Sequence, residues 1–442
     1  MKKKTTINDE GMLKELLLFY VPLGMYTMIM MSTHNVINSG IARAPNAELN
    51  LAAYAVTMTI MNIFASPCFV TRQMLVALAK DKESLKVSRN VILKIATVSL
   101  IVIMIISFTP LGEFIFIKLF NTPKELMSEV KTAAVFALSL PFVYSLRAYS
   151  QGIIILNKKT RYLTYSVIIR IVYMIILASI LPRLGFLGGA TIGMILWTSG
   201  IGLEASFNFI LSRGIYKNIP DKPNYTEGER DLSPKDAFSF VWPLLIMSFL
   251  WMLGLPIINS GLGRTYNPEF SIATFQISRN YVWIIMVFLE TNMRQVSLIF
   301  GTSEEKIQYL KKFTLGVGVT LTLIIGVLAL TPIGNWGLIN IIGVSESIAS
   351  ASRSVMMILI LLPIIISYSE YYMGLLMRLK STKSLSIAKI INLGFAIFSV
   401  IGLSIIAPQL GAAIGAIGLI FGYTAEMIYV RYTYYRLVEA AN

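Results

Sequence analysis

Long apolar runs, each close to the length that crosses a bilayer, alternate along this chain with short polar connections. A bilayer core of about 30 Å takes roughly 20 apolar residues of helix. Twelve such runs can be read: near 13–37, 50–79, 87–109, 132–157, 162–182 and 187–212, then near 236–260, 269–300, 309–331, 352–378, 384–407 and 411–434. The pattern predicts an all-α integral membrane protein.

The second six runs repeat the first. "VINSGIAR" (36–43) and "IINSGLGR" (257–264) lie 221 residues apart in a chain of 442. At that offset Pro22 falls on Pro243, Asn38 on Asn259, Gly40 on Gly261 and Arg43 on Arg264. At an offset of 222, Arg72-Gln73 falls on Arg294-Gln295, "TPLG" (109–112) on "TPIG" (331–334), Gly152 on Gly374 and Glu204 on Glu426. Six is even, so both halves start on the same side and are parallel repeats about an axis along the membrane normal. The expected organisation is two pseudo-symmetric six-helix lobes, residues 1–215 and 236–442, joined by a polar cytoplasmic linker at 216–235.

Composition agrees with a membrane protein: hydrophobic residues are 55% and charged residues 14%, with a mean hydropathy of +0.70, whereas soluble domains carry about a quarter charged residues. The basic start, "MKKKTTINDEGMLKELLLFY", has no small-residue cleavage site and reads as an uncleaved first helix. The net charge of +15 does not point to nucleic acid. Most Lys and Arg fall in the N-terminus, the even-numbered connections and the C-terminus, the positive-inside pattern for two cytoplasmic termini in the cell's inner (plasma) membrane, in contact with anionic lipids.

Enzyme signatures are absent. The chain has no "GxxxxGK[ST]", "GxSxG", "HExxH" or "CxxC", so ATP-driven pumping and the common hydrolytic chemistries lack their residues. The single Cys68 and the single His34 leave too few soft ligands for a structural zinc site. No cofactor is expected, and the energy for transport must come from a gradient.

Polar residues inside the spans carry the functional reading. An Arg at the centre of an isolated membrane helix costs about 2.5–3.5 kcal/mol, so it faces a partner or a watery cavity. Arg72, Arg147, Arg170, Arg279 and Arg294 lie inside apolar runs, against the intramembrane acids Glu204, Glu290, Glu370 and Glu426. Either these pair and lock helices together, or a surplus of fixed positive charge concentrates anions. The anion reading rests on the matched Arg72 and Arg294, joined by Arg147 and Arg279. Asn38, Asn62, Gln73, Asn259, Gln276 and Gln295 supply amides able to donate to carboxylate or phosphate oxygens, or to bond helix to helix. Glu290 and His34 are candidates for carrying a coupling ion.

The stretches "FYVPLG" (19–24), "NSGIA" (38–42), "NIPD" (218–221), "SFVWPL" (239–244), "PIIN" (256–259) with Arg264, Arg294, and "IIGV" (341–344) resemble the progressive ankylosis protein family. That family lies within the multidrug/oligosaccharidyl-lipid/polysaccharide (MOP) flippase superfamily, alongside the MATE exporters. The resemblance implies a MATE-like fold and export of organic anions such as citrate-like carboxylates or nucleotides. Arg294 matches a family Arg and Arg72 stands where the family has Lys, whereas Arg147 and His34 depart from the family pattern. The chain ends soon after its last span, without the long polar tail of the animal members, and reads as a bacterial homologue. The expectation is a monomeric secondary transporter of small multivalent organic anions, working by alternating access, with Na⁺ or H⁺ as candidate coupling ions. A MATE-like exporter of cationic drugs coupled through Glu290, or a flippase for a lipid-linked phosphate, are the alternatives.

Overall fold

The computed structural model describes residues 9–119, 122–221 and 231–440. The first eight residues and much of the expected linker lie outside them. In lipid the backbone must satisfy its own hydrogen bonds, so membrane segments are helices. Among the described residues no strand occurs. Ten helices are long and apolar enough to cross a membrane: α1 (Glu10–Ile41), α2 (Ala47–Leu78), α3 (Lys82–Phe108), α4 (Lys124–Leu156), α5 (Arg161–Leu184), α6 (Gly189–Tyr216), α7 (Pro234–Leu262), α9 (Glu304–Leu330), α11 (Thr382–Ile406) and α12 (Ala413–Glu439). An eleventh, α10, joins Glu346–Leu359 to Leu362–Arg378 through a bend of 45°.

The remaining run, read from sequence as one span over 269–300, is divided. Its parts, Pro268–Met286 and Asn292–Phe300, together make α8 and complete the twelve helices of the two six-helix lobes. The break ends at Thr291, with φ 61° and ψ −32°, a conformation that a β-branched residue adopts only under strain. In the first repeat the break in α2 comes at Ser66, before Pro67, where proline supplies the interruption by lacking an N–H.

Repeated sequence gives repeated local structure. Asp81 caps α3, accepting from the Ser84 N–H at 2.7 Å, and Ser303, 222 residues on, caps α9 by accepting from the Lys306 N–H at 3.4 Å. Such caps satisfy backbone donors that the first turn leaves open.

The chain forms two compact units: Met25–Trp242, and the described residues up to Gly24 together with Pro243–Asn442. The sequence boundary assigned all of α1 to the first lobe. Instead the first half of α1 packs with the second: Phe19 meets Phe300 edge-on at 5.3 Å, Tyr20 meets Phe313 at 5.7 Å, and the Tyr20 hydroxyl donates to the Phe288 carbonyl at 2.8 Å. The matched prolines Pro22 and Pro243 lie where α1 and α7 pass from one unit to the other. At each, the helix loses a backbone hydrogen bond, which lets its two halves follow different neighbours.

Candidate functional site

In the first unit four helices bring their interior charges to one carboxylate. Glu204 on α6 is fully buried. Its Oε1 accepts from Arg147 Nε at 3.0 Å, from Gln151 Nε2 at 2.8 Å and from the Tyr26 hydroxyl at 3.2 Å. Its Oε2 accepts from Arg170 Nη1 at 2.6 Å, and Arg170 Nη2 donates onward to Thr33 at 2.5 Å. Arg147 Nη2 also donates to Tyr26. A third guanidinium joins at one remove: Arg72 Nη1 donates to Gln151 Oε1 at 2.9 Å, while its Nε is buried with no hydrogen-bond partner.

Two guanidinium groups therefore share one carboxylate and a third reaches it only through Gln151, a formal surplus of two positive charges. Guanidinium stays charged in proteins, so this interior cannot neutralise itself. Aromatic rings flank the network: Phe69 and Tyr26 lie 5.5 and 5.8 Å from Arg147. The Tyr144 hydroxyl donates to Asn62 Oδ1 at 2.8 Å and accepts from Trp197 Nε1 at 2.7 Å. His34 stacks on Trp197 at 4.9 Å.

The second unit pairs its charges more evenly. Arg294 binds Glu370 through two parallel bonds, Nε to Oε2 at 2.8 Å and Nη2 to Oε1 at 2.7 Å, the fork geometry that makes arginine–carboxylate pairs strong. Glu370 Oε2 also accepts from the Thr291 N–H at 3.3 Å. It thereby serves the N-terminus of the second part of α8, where a helix favours negative charge. Glu426, the repeat of Glu204, accepts from Lys389 Nζ at 2.6 Å and from the Ser369 hydroxyl at 2.9 Å. Of the intramembrane arginines and acids picked out in the sequence, Arg279 and Glu290 in this unit have no ion-pair partner among the described residues. Arg279, Arg294 and Lys389 thus stand against Glu290, Glu370 and Glu426, while Arg353 bonds only the Ala329 and Leu330 carbonyls.

Arg279 and Lys389 line a cavity of about 330 Å³ with Trp251, Trp283, Asn392 and Tyr423. The Arg279 guanidinium lies 4.3 Å from the Trp283 ring, and Lys389 Nζ lies 5.1 Å from the Tyr423 ring. The Nδ2 of Asn392 is buried without a partner. Trp283 Nε1 donates to Glu290 at 3.2 Å, so Glu290 sits behind this wall.

The sequence-selected residues thus divide. Arg72, Arg147 and Asn62 belong to the first-unit network, and Arg279 to the second-unit cavity. Arg294 is held by Glu370. Gln295 and Asn259 each keep a buried side-chain oxygen with no hydrogen-bond partner. Gln73 and Gln276 are partly buried, and Asn38 is exposed at the end of α1. Sequence reasoning weighed Arg170, Glu204 and Gln151 but left them out of the site, and passed over Tyr26, Lys389 and Asn392 as binding residues. A lysine seven residues into an apolar helix was the available signal for Lys389; nothing in the sequence marked Tyr26. Among the described residues no cluster of His, Cys, Asp or Glu could hold a metal.

The family model for the Progressive ankylosis protein (ANKH) matches residues 5–275. Among solved structures, the Vibrio cholerae MATE transporter VcmN in its bent form is 14% identical, with a TM-score of 0.73 and 98% of each chain covered. A MATE family transporter of the MOP superfamily in an outward-facing conformation is 14% identical, with a TM-score of 0.72 and 96% of each chain covered. A Pyrococcus furiosus MOP superfamily transporter, described as having a binding pocket of reverse polarity that suggests a different function, is 15% identical, with a TM-score of 0.70 over 97% of this chain and 98% of that one. The fold is that of MATE-type membrane transporters, and these relatives are transporters, not enzymes.

Proposed function

Because the chain belongs to the progressive ankylosis protein family, we propose that this MATE-type transporter exports small multivalent organic anions, citrate-like carboxylates or nucleotides, by alternating access. One observation carries the reading: two guanidinium groups bonded to the single carboxylate of Glu204, with a third, Arg72, joined to them only through the neutral amide of Gln151, within the membrane interior. A fixed positive surplus between low-dielectric walls raises the local concentration of anions. Arg72 is the contact residue of choice, since its nearest partner is a neutral amide and its Nε has no hydrogen-bond partner. Arg147 and Arg170 hold the network around it, and Arg279 with Asn392 offers a second set of donors facing a cavity. Amides such as Gln295 and Asn259 orient substrate oxygens. The protein sits in the inner membrane with both termini cytoplasmic, and the energy comes from an ion or substrate gradient. The Pyrococcus relative's reverse-polarity pocket supports the premise that this fold accommodates pockets of more than one charge.

The test is uptake into proteoliposomes of labelled citrate and ATP, compared with a lipophilic cation, with and without Na⁺ or pH gradients. Arg72→Gln should lower anion flux about tenfold, the low end of the effect expected for a charge that focuses ligand, while membrane insertion is unchanged. Unchanged anion flux in that variant sinks the assignment.

One observation favours the drug-exporter reading. Glu290 is an interior carboxylate whose hydrogen-bond donor is Trp283 and which lacks an ion-pair partner among the described residues, a fit for a bound proton or Na⁺ beside an aromatic cavity. That reading predicts gradient-driven cation flux abolished by Glu290→Gln, with anion flux absent from the unmodified protein.

A further inference from the structure

The surface of the first unit carries a groove that the transport reading leaves unused. It lies among α3, α4 and α6, has a volume of about 530 Å³, and is lined by Arg89, Tyr149, Arg213 and Tyr216 together with Ser145, Ser212 and otherwise apolar side chains. At 1.5 Å per residue, Arg89 lies about 10 Å in from the start of α3 and Arg213 about 5 Å from the end of α6, on the same face of the membrane. Both are exposed, and neither has an ion-pair partner among the described residues. The Arg213 guanidinium lies 4.7 Å from the Phe209 ring, which leaves the edge of its fork free to bind an anion. Among the described residues no carboxylate lines the groove. Phe142 lies about 21 Å from the corresponding end of α4 on the same rise, so the apolar floor continues past the bilayer mid-plane.

A second surface groove sets this one apart. Between α11 and α12, Ile391, Phe395, Phe421 and Tyr432 line a groove of about 590 Å³ that includes no cation. Such a surface suits any acyl chain. In the first groove two guanidiniums and two phenols stand at headgroup depth above an apolar channel, a combination that discriminates by headgroup charge.

We propose that the groove binds one anionic phospholipid, with its phosphate held between Arg89 and Arg213 and one acyl chain laid along Ile92, Phe142 and Phe209. Under the orientation proposed above, this is a lipid of the inner leaflet. The inference does not depend on the transported substrate.

Native mass spectrometry of the full chain, titrated with phosphatidylglycerol or phosphatidylcholine of identical chains, reads the preference directly. Phosphatidylglycerol should be retained more strongly by about fivefold for each arginine engaged. Arg89→Gln with Arg213→Gln should abolish that preference, and inorganic phosphate should not displace the lipid. A preference that survives in the double variant, its absence from the unmodified protein, or displacement by phosphate alone overturns the proposal. A second reader covers the case in which the double variant folds poorly. Phe142→Trp should be quenched, above the native tryptophan background, by phosphatidylglycerol brominated on its acyl chain at concentrations where brominated phosphatidylcholine has little effect. Equal quenching by both lipids, or none by either, also overturns it.

Discussion

At Glu204 the first lobe gathers two arginines, whereas at the matched Glu426 the second lobe offers one lysine and a serine hydroxyl. In the 222-residue register, Arg147 corresponds to Ser369 and Arg170 to Asn392, so the acid was kept while the cations around it changed. The matched arginines differ in the opposite sense. Arg72 meets the neutral amide of Gln151, and Arg294 meets the carboxylate of Glu370. Two lobes with one backbone plan have therefore become electrostatically unlike: the first keeps a positive surplus and the second balances its charges. Buried ion pairs can hold helices together with little net gain in stability, so balanced pairing is what a scaffold needs. An unbalanced cluster needs another explanation, and an anionic ligand supplies one.

The comparison can be broken at several points. The largest effect is expected at the two acids themselves. Glu204→Gln strands two directly bonded cations and should cost about 3–5 kcal/mol, seen as loss of folded protein in fluorescence-detected size exclusion. Glu426→Gln strands one cation and should cost less. Equal losses would show that the two clusters are energetically alike. Next come the matched glycines. A methyl group at Gly374 would stand 2.4 Å from the Arg294 carbonyl oxygen, a backbone atom, whereas at Gly152 it would meet the Leu75 side chain at 2.7 Å. Overpacking of this kind costs about 1–3 kcal/mol. Gly374→Ala should lower the melting temperature more than Gly152→Ala, because a leucine can turn aside and a peptide carbonyl cannot.

A finer test moves the charge of the first lobe toward balance. Arg72→Gln leaves Gln151 Nε2 donating to Glu204 and removes one surplus charge. Anion uptake should fall about tenfold with folded yield maintained; full uptake would remove the surplus from the mechanism. The smallest effect is expected at Thr291. Replacing it by glycine relieves a left-handed β-branched residue and should stabilise the protein by about 1 kcal/mol, read in thermal unfolding. The break in α2 has no such residue to relieve.

Much of this architecture was legible in the sequence because a bilayer leaves few choices: apolar length gave the helices and the repeat gave two sets of six, but not the packing of the first half of α1 with the second unit. The matched Glu204 and Glu426 were visible as well. Partner choice was not. Whether Arg147 meets Glu204 or an empty cavity depends on helix rotation and a few ångströms of depth, which one-dimensional spacing does not encode. Lys389 was missed because it follows the basic connection "RLKSTK" and reads as a helix-end residue, although it is buried against Glu426. The interruption in α8 escaped because no proline or glycine marks Val287–Thr291; the strain rests on a threonine.

The affiliation of α1 has a consequence for how the chain is made. Tyr20 finds its partner, the Phe288 carbonyl, 268 residues further along, and Phe19 waits for Phe300. At about 5–20 residues per second of synthesis, the first helix spends on the order of 13–54 s in the membrane before its neighbours exist. During that time its early turns have only lipid, the insertion machinery or a foreign helix to lie against. Assembly of the second lobe is thus closed by the oldest part of the chain.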